Sequence, residues 1–443
     1  MNTPIIDFVR RYRDSGTLRL HMPGHKGAPL LGMEALDITE VRGADSLYEA
    51  DGIIRLSEEN ASRLFGCPTW YSTEGSSQCI RAMLYLVVQN SCRKGERVRI
   101  LAGRNAHKTF LSACALLDLD VSWLSPARGS YLSCQLTAQE LEEAILAEKP
   151  QAVYLTSPDY LGNTQDIAAM AEVCRRHGVL LLVDNAHGAY LRFLRPSRHP
   201  MDLGADLCCD SAHKTLPALT GAAYLHISDR LPEFYRGGAK QALAMFGSTS
   251  PSYLILQSLD AVNQYLADDY ADKLSSFIAV AEQIKERIIS DGYTLCGDEP
   301  LKVTIAAKAY GYRGEELADI LREAGMECEF ADPDFLVLML TPEIGEEGLT
   351  RLEKALLAIP KRSAILDAPP VFQPQARVMT VREAAFAQSE VVPAKESVGR
   401  VLAAATVGCP PAVPIVICGE VIDEHAVKCF NYYGIDRCTV VRE

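Results

Sequence analysis

The chain has 443 residues, of which 48% are hydrophobic and 23% charged, and its formal net charge at pH 7 is -13. This length suggests two or three domains, and the composition is ordinary for a globular protein with a sizeable core. The acidic balance argues against nucleic acid or an anionic membrane as a partner, because both repel a negatively charged protein.

The cysteines and the hydropathy pattern exclude further classes of protein. The 14 cysteines are scattered and form no Cys-x-x-Cys pair, so neither a zinc ribbon nor a thioredoxin-type motif is indicated, and we expect no metal site. No apolar run reaches the roughly 18 residues that a membrane span needs. The charged stretch Met1–Arg13 lacks the apolar core of a signal peptide. We therefore expect a cytoplasmic protein.

Two loops are predicted in the first fifty residues, after a short amphipathic helix over 1–16. The run His21-Met-Pro-Gly-His25-Lys-Gly is rigid and basic, and it forms either an exposed turn or a loop that lines a site for an anion. Its Pro-Gly step argues against the helix on which His21 and His25 could share a metal. The stretch 37–51 is acidic and irregular, and a solvated loop is its ordinary interpretation.

The middle of the chain predicts strands that alternate with helices. The strands are expected over 98–102, 121–124, 152–156, 179–183, 205–209 and 221–227, and the helices over 57–66 (with Ser57 as N-cap), 80–89, 136–147 and 166–176. Fully apolar strands in this alternation predict an α/β fold with a mostly parallel sheet covered by helices.

The remainder of the chain predicts smaller units. A long helical region over 254–289 precedes a strand–helix–strand–helix pattern over 301–359, and the proline-containing stretch 360–374 is typical of a linker. The predicted division is an N-terminal segment at 1–50, a large domain at 51–260, a small α/β domain at 261–365 and a C-terminal subdomain at 366–443.

Polar residues follow several of the predicted strands at their carboxyl ends. Ser76, His107, Asp184 and Lys214 each lie at or just past such an end. In open α/β sheets ligands bind at this edge, so the four positions predict one common site.

The turn Asp210-Ser-Ala-His-Lys214-Thr determines the chemistry expected there. A buried lysine ammonium costs several kcal/mol unless it is paired or neutralised. A Schiff base between Lys214 and pyridoxal 5'-phosphate (PLP) removes that cost. Taken alone, the same six residues could form an ordinary surface turn.

PLP needs a lysine, a carboxylate facing its pyridine nitrogen, a cup for its phosphate and walls against its ring. Asp184 supplies the carboxylate, Ala186 is small enough to lie under the ring, and His107 can stack on the other face. The residues suited to the phosphate are Gly75, Ser76, Ser77, Ser211 and His213. Each residue alone could be a core or turn residue, but the set predicts a PLP site.

Six motifs, in order, resemble a known family. They are Arg19-Leu-His-Met-Pro-Gly-His-Lys-Gly, Arg104-Asn-Ala-His-Lys, Val183-Asp-Asn-Ala-His-Gly, Ser211-Ala-His-Lys-Thr-Leu, Thr249-Ser-Pro-Ser-Tyr and Cys409-Pro-Pro-Ala-Val-Pro. Over about 20–443 the chain resembles the short form of the Orn/Lys/Arg decarboxylases, which are PLP-dependent enzymes of the aspartate-aminotransferase fold (fold type I). The resemblance implies a PLP-dependent transferase-like large domain.

The resemblance also implies an activity and an assembly. The expected reaction is PLP-dependent decarboxylation of arginine, lysine or ornithine, which releases CO2 and a polyamine-type amine. A homodimer or larger homo-oligomer is implied, with the loop of Ser248 and Thr249 reaching the partner's phosphate. The residues carried over as catalytic are Lys214, His213, Asp184 and His107.

The distal cation of a basic substrate would need a carboxylate partner if it were buried. Asp45 is our first candidate, with Glu49 and Asp51 behind it, because the acidic loop follows the basic loop that the resemblance places near the site. His21 and His25 of the basic loop are further candidates for substrate contact.

Three positions depart from the family pattern, which usually has an acid at Asn185, an Asn at Glu74 and Tyr-Pro-Pro-Gly at Cys409-Pro-Pro-Ala. Two alternatives therefore stay open. One is another PLP reaction on the same fold, such as an aminotransferase or a lyase, with Arg377 or Arg400 holding the α-carboxylate. The other is a non-catalytic PLP-binding protein.

Overall fold

The computed structural model describes residues 1–91, 96–125, 131–409 and 413–443. The α-helices are α1 (Pro4–Asp14), α2 (Ile53–Phe65), α3 (Ser76–Ser91), α4 (Lys108–Leu117), α5 (Ala138–Glu148), α6 (Ile167–Arg176), α7 (Pro200–Leu203), α8 (Ala212–Thr215), α9 (Glu233–Gly237), α10 (Ala239–Ala244), α11 (Tyr253–Ala267), α12 (Tyr270–Asp291), α13 (Gly314–Glu323), α14 (Gly345–Leu357), α15 (Val381–Phe386) and α16 (Glu424–Tyr432). The strands are β1 (Thr69–Ser72), β2 (Arg99–Gly103), β3 (Asp120–Leu124), β4 (Ala152–Thr156), β5 (Leu180–Asp184), β6 (Leu207–Asp210), β7 (Ala223–Ile227), β8 (Leu295–Cys296), β9 (Lys302–Ala306), β10 (Phe330–Ala331), β11 (Phe335–Met339), β12 (Ser389–Pro393), β13 (Thr406–Cys409), β14 (Val413–Ile417) and β15 (Arg437–Val441).

The chain divides into two compact units, each built from two segments. The first unit contains Met1–Asn90 and Leu182–Lys273, and the second contains Ser91–Leu181 and Leu274–Glu443. The four-part division at 1–50, 51–260, 261–365 and 366–443 stays a prediction.

In the first unit, four strands are hydrogen-bonded in the order β1-β7-β6-β5. β5 and β6 are parallel, whereas β7 is antiparallel to both β6 and β1. The connection from β6 to β7 contains only the four-residue helix α8, so β7 turns back beside β6 without the helical crossover of a parallel pair. The residues of β6 and β7 are all buried, and apart from Asp210 and His226 they are hydrophobic.

Aspartate carboxylates outside the first two helices accept hydrogen bonds from backbone N–H groups at the start of each helix. Asp260 of α11 accepts the N–H groups of Ile5 and Ile6 in α1, at 2.9 and 3.0 Å. Asp45 binds N–H groups where α2 begins. The prediction of Ser57 as N-cap is wrong, because α2 begins at Ile53 and the buried Ser57 hydroxyl donates to Asp260 at 2.6 Å. The capping carboxylate belongs to Asp45, eight residues before Ile53, and an N-cap pattern that considers only neighbouring residues cannot identify it.

In the second unit, β4, β2 and β3 form parallel pairs, with Ile100 opposite both Ala152 and Val121. A separate antiparallel sheet has the order β10-β11-β9-β8, and two small sheets pair β12 with β15 and β13 with β14. β9, α13, β11 and α14 match the strand–helix–strand–helix pattern predicted over 301–359.

The fold class predicted from the sequence is therefore confirmed: the chain is α/β, with a large, mostly parallel sheet and helices interspersed among the strands. The region 254–289 is helical as expected, but it is interrupted between α11 and α12 at Asp268 and Asp269 rather than at a glycine or proline. Among the described helices, none combines the length and the apolar character that a membrane crossing requires.

Candidate active site

Lys214 lies in the short turn that follows β6. Its Nζ is 3.0 Å from Nε2 of His187, which lies in the turn after β5. The preceding residue, His213, contacts the carbonyl oxygen of Ala222 through Nδ1 at 2.9 Å. Because a carbonyl oxygen only accepts, Nδ1 of His213 carries a hydrogen in this contact.

A second turn of the same unit, between β1 and α3, brings hydroxyl groups to this place. Ser211 donates its hydroxyl hydrogen bond to Oγ of Ser76 at 2.8 Å, and Ser76 and Ser77 begin the 16-residue helix α3. Gly75 has φ +71°, a left-handed conformation that favours glycine, and its N–H donates to the carbonyl oxygen of Gly221. Free N–H groups and hydroxyls at a helix N-terminus are suited to binding a phosphate.

The turn after β5 carries the predicted carboxylate. Asp184 is 2% exposed, and its Oδ1 accepts the N–H of Ala186 at 3.2 Å. Ala186 is itself buried, and its predicted position under the ring stays a prediction. A lysine amine, a buried carboxylate and a hydroxyl-bearing helix start within one unit fit the requirements of PLP.

His187 is a site residue that the sequence analysis missed, although the motif Val183-Asp-Asn-Ala-His-Gly contains it. The turn from Asp184 to Gly188 reverses the chain tightly, with the N–H of Gly188 donating to the carbonyl oxygen of Asn185 at 2.8 Å. His187 lies three residues after Asp184 in that turn. Its position three residues after the predicted Asp184, in the same turn, is the feature of the sequence that could have identified His187 as a candidate.

His107 belongs to the second unit, where it is the N-cap of α4. Its Nδ1 accepts the N–H of Thr109 at 3.2 Å and lies 3.0 Å from Oγ1 of the same residue. The predicted stacking of His107 on a cofactor ring stays a prediction.

The loop of Ser248 and Thr249 is exposed. The N–H of Ser248 donates to Oε1 of Glu74 at 3.3 Å, so this exposed carboxylate binds the loop within its own chain. The roles predicted for Ser248 and Thr249 stay predictions. Of the Cys409-Pro-Pro-Ala motif, residues 410–412 lie outside the described residues.

Two of the remaining substrate candidates, His21 and His25, have side-chain partners in the structure. His21 Nε2 is 2.6 Å from the hydroxyl of Tyr12, and His25 Nε2 is 3.2 Å from a carboxylate oxygen of Asp37. Glu49 is exposed in a short 3-10 turn. That these residues contact substrate stays a prediction.

Asp45, the first of these candidates, is 4% exposed and acts as an acceptor for backbone N–H groups. Its Oδ1 accepts from Ser46 and Asp51, and its Oδ2 accepts from Gly52 and Ile54, at 2.8–3.1 Å. This arrangement closes the acidic loop and caps α2. A substrate cation at Asp45 would share the carboxylate with these donors, and its substrate role stays a prediction.

We expect Asp45→Ala to lower the free energy of unfolding by about 2 kcal/mol or more, because several buried N–H groups lose a charged acceptor. Denaturant unfolding measures this loss. Asp51→Ala is the matched control, because only the backbone N–H of Asp51 takes part in these bonds. An Asp45→Ala protein as stable as the control would contradict a capping role, and a raised KM in a folded variant would support substrate contact.

Three features together define an α/β enzyme with a lysine-centred site. They are a lysine just after one buried strand, a buried aspartate at the end of the neighbouring strand, and a helix that begins with two serines. The model of the family "Orn/Lys/Arg decarboxylase, major domain" matches residues 3–350. The chain belongs to this family and is a decarboxylase of basic amino acids, which confirms the predicted family and reaction.

Individual relatives agree with this assignment. An arginine decarboxylase of Bacillus subtilis is 29% identical over 96% of this chain and 92% of that protein. An arginine decarboxylase of Halalkalibacterium halodurans is 30% identical over 95% of this chain and 91% of that protein. Among solved structures, lysine decarboxylase A from Pseudomonas aeruginosa has a TM-score of 0.80 at 18% identity and covers 98% of this chain and 76% of that one. This structural likeness shows the shared fold.

Proposed function

We propose that the chain decarboxylates arginine with PLP held on Lys214. The observation that carries the proposal is the placement of Lys214 beside His187, on a turn next to the one that carries the buried Asp184. We propose arginine rather than lysine or ornithine because four relatives that match 93–96% of the chain are named arginine decarboxylases.

When bound, PLP supplies the electron sink that stabilises the negative charge left on Cα as CO2 departs. Asp184 would pair with the pyridine nitrogen and keep it protonated, because a buried carboxylate favours a neighbouring cation. His187 can take or return a proton at Nζ of Lys214, which it contacts at 3.0 Å. His213 or Lys214 would return the proton to Cα. The phosphate would be held by Gly75, Ser76, Ser77, Ser211 and His213.

The proposed assembly is a homodimer or larger homo-oligomer in the cytoplasm. In it, Ser248 and Thr249 would contribute to the partner's phosphate site. His107 would stack on the ring, and Asp45, Glu49, His21 and His25 are the candidates for substrate contact.

The test is purified protein with PLP and each of arginine, lysine and ornithine, scored for CO2 and for the amine product. We expect kcat/KM for arginine to exceed that for the other two by at least about tenfold, because a site that hydrogen-bonds one polar end group rejects the others. Release of a keto acid without CO2 would instead indicate an aminotransferase. PLP binding without turnover of any of the three would indicate a non-catalytic protein.

A further inference from the structure

A fully buried carboxylate lies directly before the turn that carries Lys214. Asp210, the last residue of β6, has 0% exposure. Its Oδ1 accepts from Nδ2 of Asn185 at 2.7 Å, and its Oδ2 faces Nε2 of His199 at 3.0 Å and Nε2 of His226 at 3.1 Å. Three nitrogens from three separate segments thus converge on one anion. The proposed reaction uses none of these four residues.

The protons of this cluster can be assigned from its other contacts. Nδ1 of His199 accepts the N–H of Met201 at 3.3 Å, so Nε2 of His199 carries the hydrogen that it donates to Asp210. The hydroxyl of Thr69 donates to the carbonyl oxygen of Cys67 at 3.0 Å, and its oxygen lies 2.9 Å from Nδ1 of His226. Nε2 of His226 then donates to Asp210, because an ionised carboxylate oxygen only accepts.

The charges of the cluster support this assignment. Burial alone would raise the pKa of Asp210, but His199 and His226 outweigh it and hold that pKa below its usual range. Burial alone would lower the pKa of His226, but the Asp210 carboxylate raises it. Asp210 is therefore the anion of the cluster.

The same place could be considered for a metal ion, since His199, Cys208 and Asp210 lie within ligating reach of one another. All three side chains, however, already have hydrogen-bond roles: Nε2 of His199 faces Asp210, Nδ1 of His199 accepts from Met201, and the Cys208 thiol lies 3.8 Å from Oδ1 of Asp210. Burial also raises the pKa of the Cys208 thiol well above its usual value. The cluster fits a hydrogen-bond network.

The network joins the two turns that carry the site. Asp210 directly precedes Ser211 and lies four residues before Lys214, while Asn185 directly follows Asp184. The turns are thus joined twice, by Asn185 and Asp210 on the buried side and by His187 and Lys214 at the site. Gly188 leaves room for this arrangement, because a Cβ there would lie 2.0 Å from Oδ1 of Asn185.

We propose that Asn185 and Asp210 are positioning residues that hold the Asp184 turn against the Lys214 turn, and that position 185 requires an amide because Asp210 is already an anion. This inference rests on the proposed PLP function and assigns a reason to the departure of Asn185 from the family pattern. An amide donates to the carboxylate, whereas an ionised acid would repel it.

The most informative variant is Asn185→Asp, because it places a second carboxylate within hydrogen-bond distance of Asp210. Like charges this close cannot both ionise without cost, so the pair takes up a proton as the pH falls. The titratable groups that act on Asp210 from the packed elements are His199 before α7, Cys208 on β6, Tyr224 and His226 on β7, and Cys79 on α3. The defect of this variant should therefore be large at high pH and small at low pH.

The measurement is the affinity of the apo-protein for PLP at pH 8 and pH 6, by absorbance titration, each value taken relative to wild type at the same pH. We expect Asn185→Asp to bind PLP at least about tenfold more weakly at pH 8 and within about threefold of wild type at pH 6. Asn60→Asp is the matched control. Asn60 is 1% exposed in the same unit, but its amide donates to Asn2 rather than to a carboxylate. The control should keep wild-type affinity at both pH values.

If Asn185→Asp does not fold, Asn185→Ala removes the donor without adding a charge and should weaken PLP binding by about threefold to tenfold without this pH dependence. Wild-type affinity in the Asn185 variant that folds, whatever its melting temperature, would overturn the positioning role and leave the proposed function standing. A wild-type protein that fails to bind PLP would overturn the proposed function and this inference with it.

Discussion

Lys214→Ala is expected to abolish the borohydride-stable attachment of PLP and to slow decarboxylation by on the order of 10³-fold or more. The reason is that alanine removes the only amine of the turn after β6 and leaves no group to hold the cofactor covalently. Peptide mapping of the wild-type protein, after reduction with borohydride in the presence of PLP, should place the label on Lys214.

Lys354→Ala is the control for this experiment, because Lys354 is an exposed lysine on α14, in the second unit. It should keep both the label and the rate. A label found on another lysine, or a Lys214→Ala protein with substantial activity, would remove Lys214 from the site.

The second large effect is expected for Asp184→Asn, which should still bind PLP but lose roughly 10²–10³ in rate, or about 2.7–4 kcal/mol of transition-state stabilisation. An amide has nearly the same shape, and its oxygen can still accept the N–H of Ala186. It cannot hold the pyridine nitrogen protonated, however. The measurement is kcat at saturating substrate and PLP.

Asp260→Asn is the matched control, because Asp260 is also buried in the first unit but caps α1. Burial raises the pKa of Asp260 to about 6, so its ionised form costs free energy in the folded protein at neutral pH. Asp260→Asn should change stability rather than kcat. A near-wild-type kcat for Asp184→Asn would show that Asp184 is structural.

The sequence predicted those parts of the site that depend on strand ends. A short apolar run followed by polar residues predicts the positions of Ser76, Asp184 and Lys214. In the first unit, Ser76 begins α3 after β1, Asp184 ends β5, and Lys214 lies in α8 just after β6. This succeeds because fully buried strands are short, apolar and easy to delimit, and ligands bind at their carboxyl ends.

The parts that the sequence could not predict depend on partners far away in the chain. Asp45 lies in the stretch 37–51, which has the composition of a solvated loop. Only the tertiary structure shows that its carboxylate accepts hydrogen bonds from backbone N–H groups. Asn185 was noted as a departure from a family pattern, but its reason is Asp210, 25 residues later on another strand. Hydrogen bonds of this kind leave no periodic pattern in the sequence.

The discontinuous construction of the first unit has a consequence for how the protein folds. β1 lies in the first segment, Met1–Asn90, but its hydrogen-bonded neighbour β7 comes only after residue 181. The start of α1 likewise depends on Asp260. A nascent chain that ends before Leu182 therefore lacks the strand that pairs with β1. Contacts between residues so distant in sequence require closure of a long loop, which slows folding. We expect β1 to stay unpaired on the ribosome until the second segment of this unit, Leu182–Lys273, has been synthesised.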